Sequence, residues 1–581
     1  MNYPTIPVRN TERQIVDVFL GYNHNLRIGD GEFFDMKNMT SDHYPVMAPR
    51  GKRGVYARPA SPQGLIAKDK LCYVDGTAFV MGQERVEMDL SVDEKDCPKQ
   101  LVSMGAYVII MPDKKYINTM DTDDKGSIDS QFTTSGAVRF ELCSIDGDSY
   151  NAVISPAAPT NPSNLDYWID TSTTPNALKQ YAENTSTWVS IATTYVKISA
   201  TGIGKEFNKH DGVTISGITE KESKELNGSA VVWDKGDDFI IVTGILSSVE
   251  SQTGAVTVER KMPAVDFVIE SCNRLWACRY GKSNDGQYVN EIYASKLGDF
   301  KNWNCFMGVS TDSYAASVGS DGAFTGAVAY LGSPMFFKEN CIHKVYGNYP
   351  ANFQIQDTAC RGVQSGCHGS LAIVNETLFY KARTGVCAFD GSLPTEVSSA
   401  LGNERYSDAV GGSYGSKYYI SMKDIKGEWV LMVYDAAKGM WHKEDNLHAS
   451  AFCASDGELY CVDAADRNII TMFGSGEEDE VIVPWMAETG NIGISSPDMK
   501  YLSRLNVRVA LDKNAKIDIY AQYDLSDEWH HVCRVFGSKL RNFSVPIKPR
   551  RTDHFKLRFE GEGHAEIYAY AKTIEQGSEW S

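Results

Sequence analysis

One pattern returns four times between residues 321 and 475 of this 581-residue chain. Each copy contains an apolar run, a tight turn, a run with aromatic residues, a second turn and a third run. One aromatic residue in the central run marks each copy, at Phe336, Phe379, Tyr419 and Tyr460, with spacings of 43, 40 and 41 residues. A period of about 40 to 45 residues with several strands per unit is typical of β-propeller blades. A small sheet buries both of its faces only between two neighbours, so the pattern must continue until a ring closes.

Further units precede these four. A similar unit covers residues 267–303, and two weaker ones cover residues 64–82 and 100–120. The total is about seven blades, with six and eight as open alternatives. Helical periodicity is almost absent, while short β-branched and aromatic runs bounded by Gly, Asn, Asp or Pro fill most of the chain. The sequence therefore predicts an all-β fold built around a β-propeller.

The extent of the repeat predicts five segments. Residues 1–60 carry no repeat and are predicted to be an extended N-terminal arm. Residues 61–138 and 263–475 are predicted to form the two parts of the propeller, and residues 139–262 a small inserted β subdomain between them. In residues 476–581, seven runs with period-two alternation predict a C-terminal β-sandwich.

Two clusters are the candidate partner interfaces. Trp168, Tyr181 and Trp188 lie in a stretch whose strand and turn signals predict a small antiparallel meander. We expect their rings to form a local core, with a sugar-binding platform as the alternative. Arg550 and Arg551 belong to a basic cluster near the C-terminal end. That cluster is predicted to be a charged turn, with a contact to DNA or to a partner's acidic surface as the alternative.

No metal, cofactor or catalytic site is predicted. The acidic run over residues 121–129 has Lys125 where a calcium-binding loop needs an oxygen ligand. His530 and His531 are adjacent on a predicted strand and would point to opposite faces. The aspartate-box pattern of many propeller glycosidases is absent. Because the central repeat strands present mainly aromatic and aliphatic residues, with acids near the turns, the chain is predicted not to be an enzyme.

The net charge, the cysteines and the apolar runs indicate which kinds of protein this chain can be. The formal net charge is −18, which disfavours nonspecific binding of nucleic acid to the outer surface. Thirteen cysteines are scattered without a C-x-x-C pair, a pattern that favours reduced thiols. The longest apolar runs have the length of strands, so no membrane-spanning segment is expected.

The stretch FLGYNHNLRIGDGEFFDMKNMTSDHYPVMAPRGKRG, residues 19–54, resembles the start of tail proteins from short-tailed bacteriophages. The positions that carry this resemblance are Gly21, Asn23, Gly31, Glu32, Asp35, Met36, Asn38, Tyr44, Pro45 and Arg50. The phrase IYASKLGDFKNW, residues 292–303, is also similar to such proteins. The aromatic meander resembles a short module that recurs in structural proteins of tailed phages.

The resemblance implies a virion structural protein: a subunit of the tail hub or nozzle ring around the DNA exit channel, made in the host cytoplasm. The implied partners are the chain itself in a ring of six copies, portal and adaptor proteins, and tail fibre or spike proteins. DNA would pass without sequence-specific binding, and no cofactor is expected. A glycan-directed receptor-binding protein or a propeller glycosidase is the alternative.

Overall fold

The structure is a computed structural model that describes residues 11–92, 99–474, 478–524, 526–537 and 539–576. It divides into two compact units. The first comprises residues 1–99, 337–342 and 358–581, and the second comprises residues 100–336 and 343–357. The limits of these units are not those of the five predicted segments, and the five-segment organisation stays a prediction.

The N-terminal part of the first unit contains six short strands. They are β1 (Thr11–Val16), β2 (Gly21–Tyr22), β3 (Glu32–Lys37), β4 (Met39–Thr40), β5 (Ala48–Pro49) and β6 (Gly54–Ala57). Three of them pair with strands far along the chain: β1, β3 and β6. Backbone hydrogen bonds therefore hold this region against the C-terminal half of the same unit.

Two four-stranded sheets follow, each from one of the weaker sequence repeats. Repeat sheet 1 contains β7 (Pro62–Ala67), β8 (Leu71–Asp75), β9 (Ala78–Met81) and β10 (Glu84–Glu87). Repeat sheet 2 contains β11 (Gln100–Met104), β12 (Tyr107–Met111), β13 (Lys115–Asn118) and β14 (Asp121–Ser127). The acidic run that was tested for calcium binding is thus mostly a strand, β14, paired with β13.

Residues 130–260 contain thirteen strands in three sheets, and these begin before the predicted start of the insertion at residue 139. They are β15 (Ser130–Thr133), β16 (Val138–Cys143), β17 (Ala152–Ser155), β18 (Tyr167–Asp170), β19 (Ala177–Ala182), β20 (Thr187–Ser190), β21 (Tyr195–Ser199), β22 (Gly212–Ser216), β23 (Gly228–Val231), β24 (Asp234–Gly236), β25 (Phe239–Thr243), β26 (Glu250–Gln252) and β27 (Thr257–Arg260). Two of the sheets, β15-β27-β22-β23 and β24-β25-β21-β16-β26, enclose a core that includes Phe140, Ile198, Ile240 and Val258. The strands of the segment therefore bury their own apolar faces.

Five more repeat sheets follow. Sheet 3 contains β28 (Phe267–Ser271), β29 (Arg274–Lys282), β30 (Tyr288–Ala294) and β31 (Tyr314–Ser317). Sheet 4 contains β32 (Gly326–Tyr330), β33 (Ser333–Lys338), β34 (Cys341–Tyr346) and β35 (Gln354–Ala359), and sheet 5 contains β36 (Ala372–Val374), β37 (Thr377–Lys381), β38 (Val386–Phe389) and β39 (Thr395–Glu396). Sheet 6 contains β40 (Tyr406–Tyr414), β41 (Lys417–Asp424), β42 (Trp429–Asp435) and β43 (Met440–Lys443). Sheet 7 contains β44 (Ala449–Ser455), β45 (Glu458–Asp463), β46 (Asn468–Thr471) and β47 (Glu478–Asp479), with β6 between β46 and β47.

The C-terminal strands form a β-sandwich with strands from the N-terminal region. They are β48 (Pro484–Thr489), β49 (Lys500–Leu511), β50 (Lys516–Tyr523), β51 (His530–Phe536), β52 (Arg541–Val545), β53 (Phe555–Glu562) and β54 (Ala565–Gln576). One sheet has the order β1-β54-β49-β52 and the other β2-β3-β48-β53-β50-β51. Phe559 of the second sheet and Tyr570 of the first lie with their rings 5.4 Å apart, so the two sheets share a core. Short 3-10 helices occur at Ser223–Leu226, Pro350–Asn352, His368–Ser370 and Ser399–Leu401.

Packing between successive repeat sheets explains the composition of their central strands. In the second unit, Leu275 of sheet 3 lies in one cluster with Ile109 of sheet 2. In the first unit, Ile469 of sheet 7 packs with Leu71 and Tyr73 of sheet 1, so the last sheet in sequence neighbours the first. Central strands such as β41 are buried along most of their length and carry mainly aromatic and aliphatic residues there, as sheets between two neighbours require. The described residues confirm the all-β, propeller-type fold, with seven repeat sheets, the inserted β subdomain and the C-terminal sandwich.

Some of the N-terminal residues that carry the resemblance to phage tail proteins make contacts that hold the first unit together. Arg50 donates to Asn38 Oδ1 at 2.8 Å and to Glu480 Oε2 at 2.6 Å. Nearby, the guanidinium of Arg53 lies 2.7 Å from Asp445 Oδ2, and a second hydrogen bond joins it to a buried glutamate. Both arginines are buried, so this network holds the N-terminal strands against repeat sheets 6 and 7.

Candidate functional site

A charged cavity of about 440 Å³ lies within the first unit, among repeat sheets 5 and 6 and the segments that join the sheets. Its charged lining residues are Glu339, Arg361, Lys381, Arg383, Glu396, Glu404 and Arg405. Tyr406, the first residue of β40, also lines it. Most of these side chains come from turns and strand ends rather than from strand centres. We call this the charged cavity.

The backbone at the cavity is fixed by the hairpin between β37 and β38. Lys381 pairs with Val386, and the Ala382 N–H donates to the Gly385 carbonyl at 2.8 Å. A Cβ atom at Gly385 would lie 2.0 Å from Ser398 Oγ, so a larger residue would displace this hydroxyl group. The same hydroxyl oxygen accepts a hydrogen bond from the Val386 N–H at 2.9 Å. The turn that presents the charged side chains is therefore tied to the segment after β39.

Ion pairs balance part of the positive charge in the cavity. Arg361 lies 2.9 Å from Glu396, and Arg383 lies 4.0 Å from Glu339 at the edge of ion-pair range. Arg405 is exposed, and the structure gives its guanidinium no ion-pair partner among the described residues. One permanent positive charge is thus available to a ligand.

Two of the side chains that line the cavity are buried, and burial favours their uncharged forms. Burial lowers the pKa of Lys381, whose ammonium donates to Gln364 Oε1 at 2.8 Å. Burial, followed by the neighbouring Glu404, raises the pKa of Tyr406. The Tyr406 hydroxyl accordingly stays protonated and donates to Glu404 Oε2 at 3.0 Å. The cavity can bind a polar, negatively charged ligand, and it contains three carboxylates that could accept or donate a proton.

The predicted aromatic interface residues come together as a local cluster. The rings of Trp168 and Trp188 lie 5.5 Å apart, and those of Tyr181 and Trp188 lie 5.3 Å apart. Trp168 is 5% exposed and donates its indole N–H to the Ser155 carbonyl at 3.0 Å. These are the contacts of a small core, and the role of the three residues as a partner interface stays a prediction.

This meander is inserted in the turn of a hairpin, because β16 and β21 pair directly at Cys143 and Tyr195. Replacing residues 145–193 by an Asn-Gly turn is expected to leave the inserted subdomain folded. The cost should be about 1–3 kcal/mol, since Leu142 and Ile245 lose their apolar contacts with the meander. Thermal unfolding of the variant should remain cooperative. Loss of that transition would mean that the meander is required for the subdomain to fold.

Arg550 and Arg551 are both exposed. Arg550 donates to His530 Nε2 at 2.7 Å and lies over the Tyr523 ring. His531 instead lies 2.9 Å from Asp518, so the two adjacent histidines have different partners. The proposed contact of Arg550 and Arg551 with DNA or a partner also stays a prediction.

One further pattern in the sequence has the spacing of a hydrolase motif. Residues 411–415, GGSYG, have the G-x-S-x-G spacing of hydrolase nucleophiles. In those enzymes the serine sits on a strand-to-helix turn. Here Ser413 lies near the end of β40, opposite Tyr418 of an antiparallel hairpin. The surrounding fold therefore does not match that catalytic motif.

No helix among the described residues has the length and apolar character that a membrane crossing requires. The described cysteines are all free thiols.

No protein-family model matches this chain, and no curated protein matches it. Among solved structures, similarity is found to an acylaminoacyl peptidase from Pyrococcus horikoshii, with 9% identity and a TM-score of 0.24 over 54% of this chain and 55% of that chain. A Trypanosoma rangeli sialidase is 7% identical, with a TM-score of 0.24 over 97% of this chain and 95% of that chain. An engineered GH43 glycoside hydrolase is 9% identical, with a TM-score of 0.19 over 54% of this chain and 96% of that chain. This chain thus spans about half the length of the peptidase, and similarity at this level carries no argument for a shared activity.

The prediction that the chain is not an enzyme is wrong on this comparison, because these solved structures are a peptidase, a sialidase and a glycoside hydrolase. That prediction was based on the central strands of the repeats and on the absence of the aspartate-box pattern. The carboxylates of the charged cavity, Glu339, Glu396 and Glu404, come from segments outside those central strands. The only sequence signal for them is the alternation of Arg and Glu near strand ends, as at Glu404 and Arg405.

Proposed function

We propose that this chain is a structural subunit of a bacteriophage tail, in the hub or nozzle of the virion. The observation that carries the proposal is the structural role of the residues that resemble phage tail proteins. A Cβ atom at Gly21 would lie 2.3 Å from the Trp441 carbonyl oxygen, so the chain passes there only because the residue is glycine. Asn38 and Arg50, two further resemblance residues, hydrogen-bond each other in the buried network.

The proposed partners follow from that role. Six copies would form a ring, with portal and adaptor proteins on one side and fibres or spikes attached at the surface. The net charge of −18 favours this role, because an acidic subunit repels passing DNA and does not retain it. The inserted subdomain, with its separate core, is the proposed attachment site for fibres or spikes.

A nonsense mutation in the gene tests this function. We expect particles with packaged DNA that lack the distal tail and do not infect. Adding the purified chain to these particles should restore infectivity, because assembly of a tail subunit is sequential and occurs on a preformed portal. Fully infectious particles made without the chain would contradict the proposal.

The charged cavity favours a second candidate function, binding of an acidic glycan on the host surface. A sugar carboxylate would pair with Arg405, and its hydroxyl groups would hydrogen-bond to the cavity's carboxylates. Such an activity is compatible with a tail protein, since a tail must contact the host surface. The three carboxylates also supply the type of group that glycoside hydrolysis uses.

Titration of the purified chain with an oligosaccharide that contains glucuronic acid tests this second function. Arg405→Ala should weaken binding by about tenfold or more, the effect of losing a hydrogen bond to a charged group. Arg541→Ala, at another exposed arginine on β52, is the matched control and should bind as the unmodified chain does. Equal affinity for a neutral oligosaccharide, or no effect of Arg405→Ala, would contradict it. Release of reducing ends would show that the cavity hydrolyses the glycan.

A further inference from the structure

Three metal-ligating side chains meet at the surface of the first unit, away from the charged cavity. His43 lies in the loop between β4 and β5, His564 in the turn between β53 and β54, and Glu566 on β54. One possible ligand atom from each residue lies within 4.8 Å of those of the other two. All three side chains are partly exposed, so an ion could reach them from solvent.

Backbone hydrogen bonds hold these segments together. The Met47 N–H donates to the Ile567 carbonyl at 3.2 Å, and the Ile567 N–H donates back to the Met47 carbonyl at 2.9 Å. The Val46 N–H donates to the His43 carbonyl at 2.8 Å, which closes the turn that presents the first histidine. The imidazole positions thus depend on backbone pairing between distant parts of the chain and not on side-chain contacts alone.

The distances suit a transition metal. Ligands about 2.1 Å from a tetrahedral ion lie about 3.4 Å from one another. His43 Nδ1 lies 3.3 Å from Glu566 Oε1, and His564 Nε2 lies 3.6 Å from the same oxygen. Two of the three ligand-to-ligand distances therefore agree, within about 0.2 Å, with the distance expected between two ligands of a tetrahedral ion.

A fourth residue orients the carboxylate. The Tyr568 hydroxyl donates to Glu566 Oε2 at 2.7 Å, which leaves Oε1 directed at the two histidines. A hydrogen bond to the oxygen that does not bind the metal is the usual way in which a metal-binding carboxylate is held in place.

We propose that His43, His564 and Glu566 bind a divalent transition-metal ion, Zn²⁺ being the best match to two imidazoles and one carboxylate. Water would occupy the remaining coordination position, as in zinc sites with three protein ligands. The bound ion would join the loop after β4 to strand β54 and so stabilise the attachment of the N-terminal region. This site is independent of the proposed tail and glycan functions.

Calorimetric titration of the full chain with Zn²⁺ tests the site, with Mg²⁺ as the control ion because it prefers oxygen ligands. We expect one Zn²⁺ per chain and no detectable Mg²⁺ binding. His43→Gln and His564→Gln should each weaken Zn²⁺ binding by at least about tenfold. His531→Gln, at a histidine of the same sandwich that pairs with Asp518, should bind as the unmodified chain does.

Thermal melting provides the second readout. Zn²⁺ should raise the Tm of the unmodified chain and of His531→Gln, but not that of His43→Gln or His564→Gln. Melting without metal should be the same for all four proteins, since the substituted side chains are partly exposed. Co²⁺ should give a visible absorption spectrum only where both His43 and His564 are present. Unchanged Zn²⁺ affinity in the His43 and His564 variants, or a Co²⁺ spectrum that survives their substitution, would overturn the proposal.

Discussion

Arg53→Ala is expected to lower the free energy of unfolding by about 3–5 kcal/mol, the usual cost of removing one partner from a buried ion pair. The guanidinium lies 2.6 Å from Glu444 Oε2 and 2.7 Å from Asp445 Oδ2. Glu444 is buried, so the substitution leaves its charge in the interior with a weaker partner, Arg50, at 3.7 Å. Urea unfolding of the variant and the unmodified chain measures the difference.

The same network also affects how the free energy of unfolding changes with pH. Burial raises the pKa of Asp445, but Arg53 and Arg50 outweigh it and hold the pKa below its ordinary value. A carboxyl whose pKa is lower in the folded state stabilises the fold fully above the unfolded value of about 4, and this contribution is lost as the pH falls through the folded value. Arg53→Ala should therefore lose less stability than the unmodified chain when the pH falls below about 4.

Arg541→Ala is the control for both measurements, because that arginine is exposed on β52. It should change the free energy of unfolding by less than about 0.5 kcal/mol. If Arg53→Ala changed the free energy of unfolding as little as Arg541→Ala does, the network would not hold the N-terminal strands as described.

Deleting residues 1–57 is expected to abolish cooperative folding of the first unit. The deletion removes β6, whose backbone pairs with β46 at Thr471 and Ile470 and so completes repeat sheet 7. It also removes β3, which pairs with β48 in the sandwich, and both arginines of the buried network. Sheet 7 would then expose a strand edge and lose the contacts that Tyr56 and Ala57 make with the apolar cluster between sheets 7 and 1. Circular dichroism melting and size-exclusion chromatography should show a non-cooperative, aggregating protein.

Deleting only residues 1–16 provides the matched control. It removes β1, an edge strand whose side chains are mostly exposed. This shorter deletion should therefore retain a cooperative transition. If the longer deletion melted cooperatively at the temperature of the full chain, the N-terminal strands would be dispensable to the fold.

The repeat sheets could be read from the sequence because their physical requirement is local. A central strand with neighbours on both faces buries most of its residues, so aromatic and aliphatic residues prevail in it, as in β37 and β41. The N-terminal strands have no such signal. Strands β2, β4 and β5 have two residues each, and β6 pairs with residues more than 400 positions away.

The candidate sites were harder to predict for a related reason. The charged cavity collects side chains from turns between repeats, where Arg and Glu are ordinary surface residues until the fold brings them together. The proposed metal site joins His43 to His564 through the bridge between Met47 and Ile567, and no local pattern indicates that bridge. Only the close spacing of His564 and Glu566 is visible in the sequence.

Electron cryomicroscopy of purified virions, with the chain marked by a specific antibody fragment, tests the proposed tail function most directly. We expect a ring of six copies around the DNA exit channel, between the portal and adaptor proteins and the distal end of the tail. The antibody fragment should then mark that ring on every intact particle. Intact, infectious virions that carry no copy of the chain at the tail would contradict the proposal.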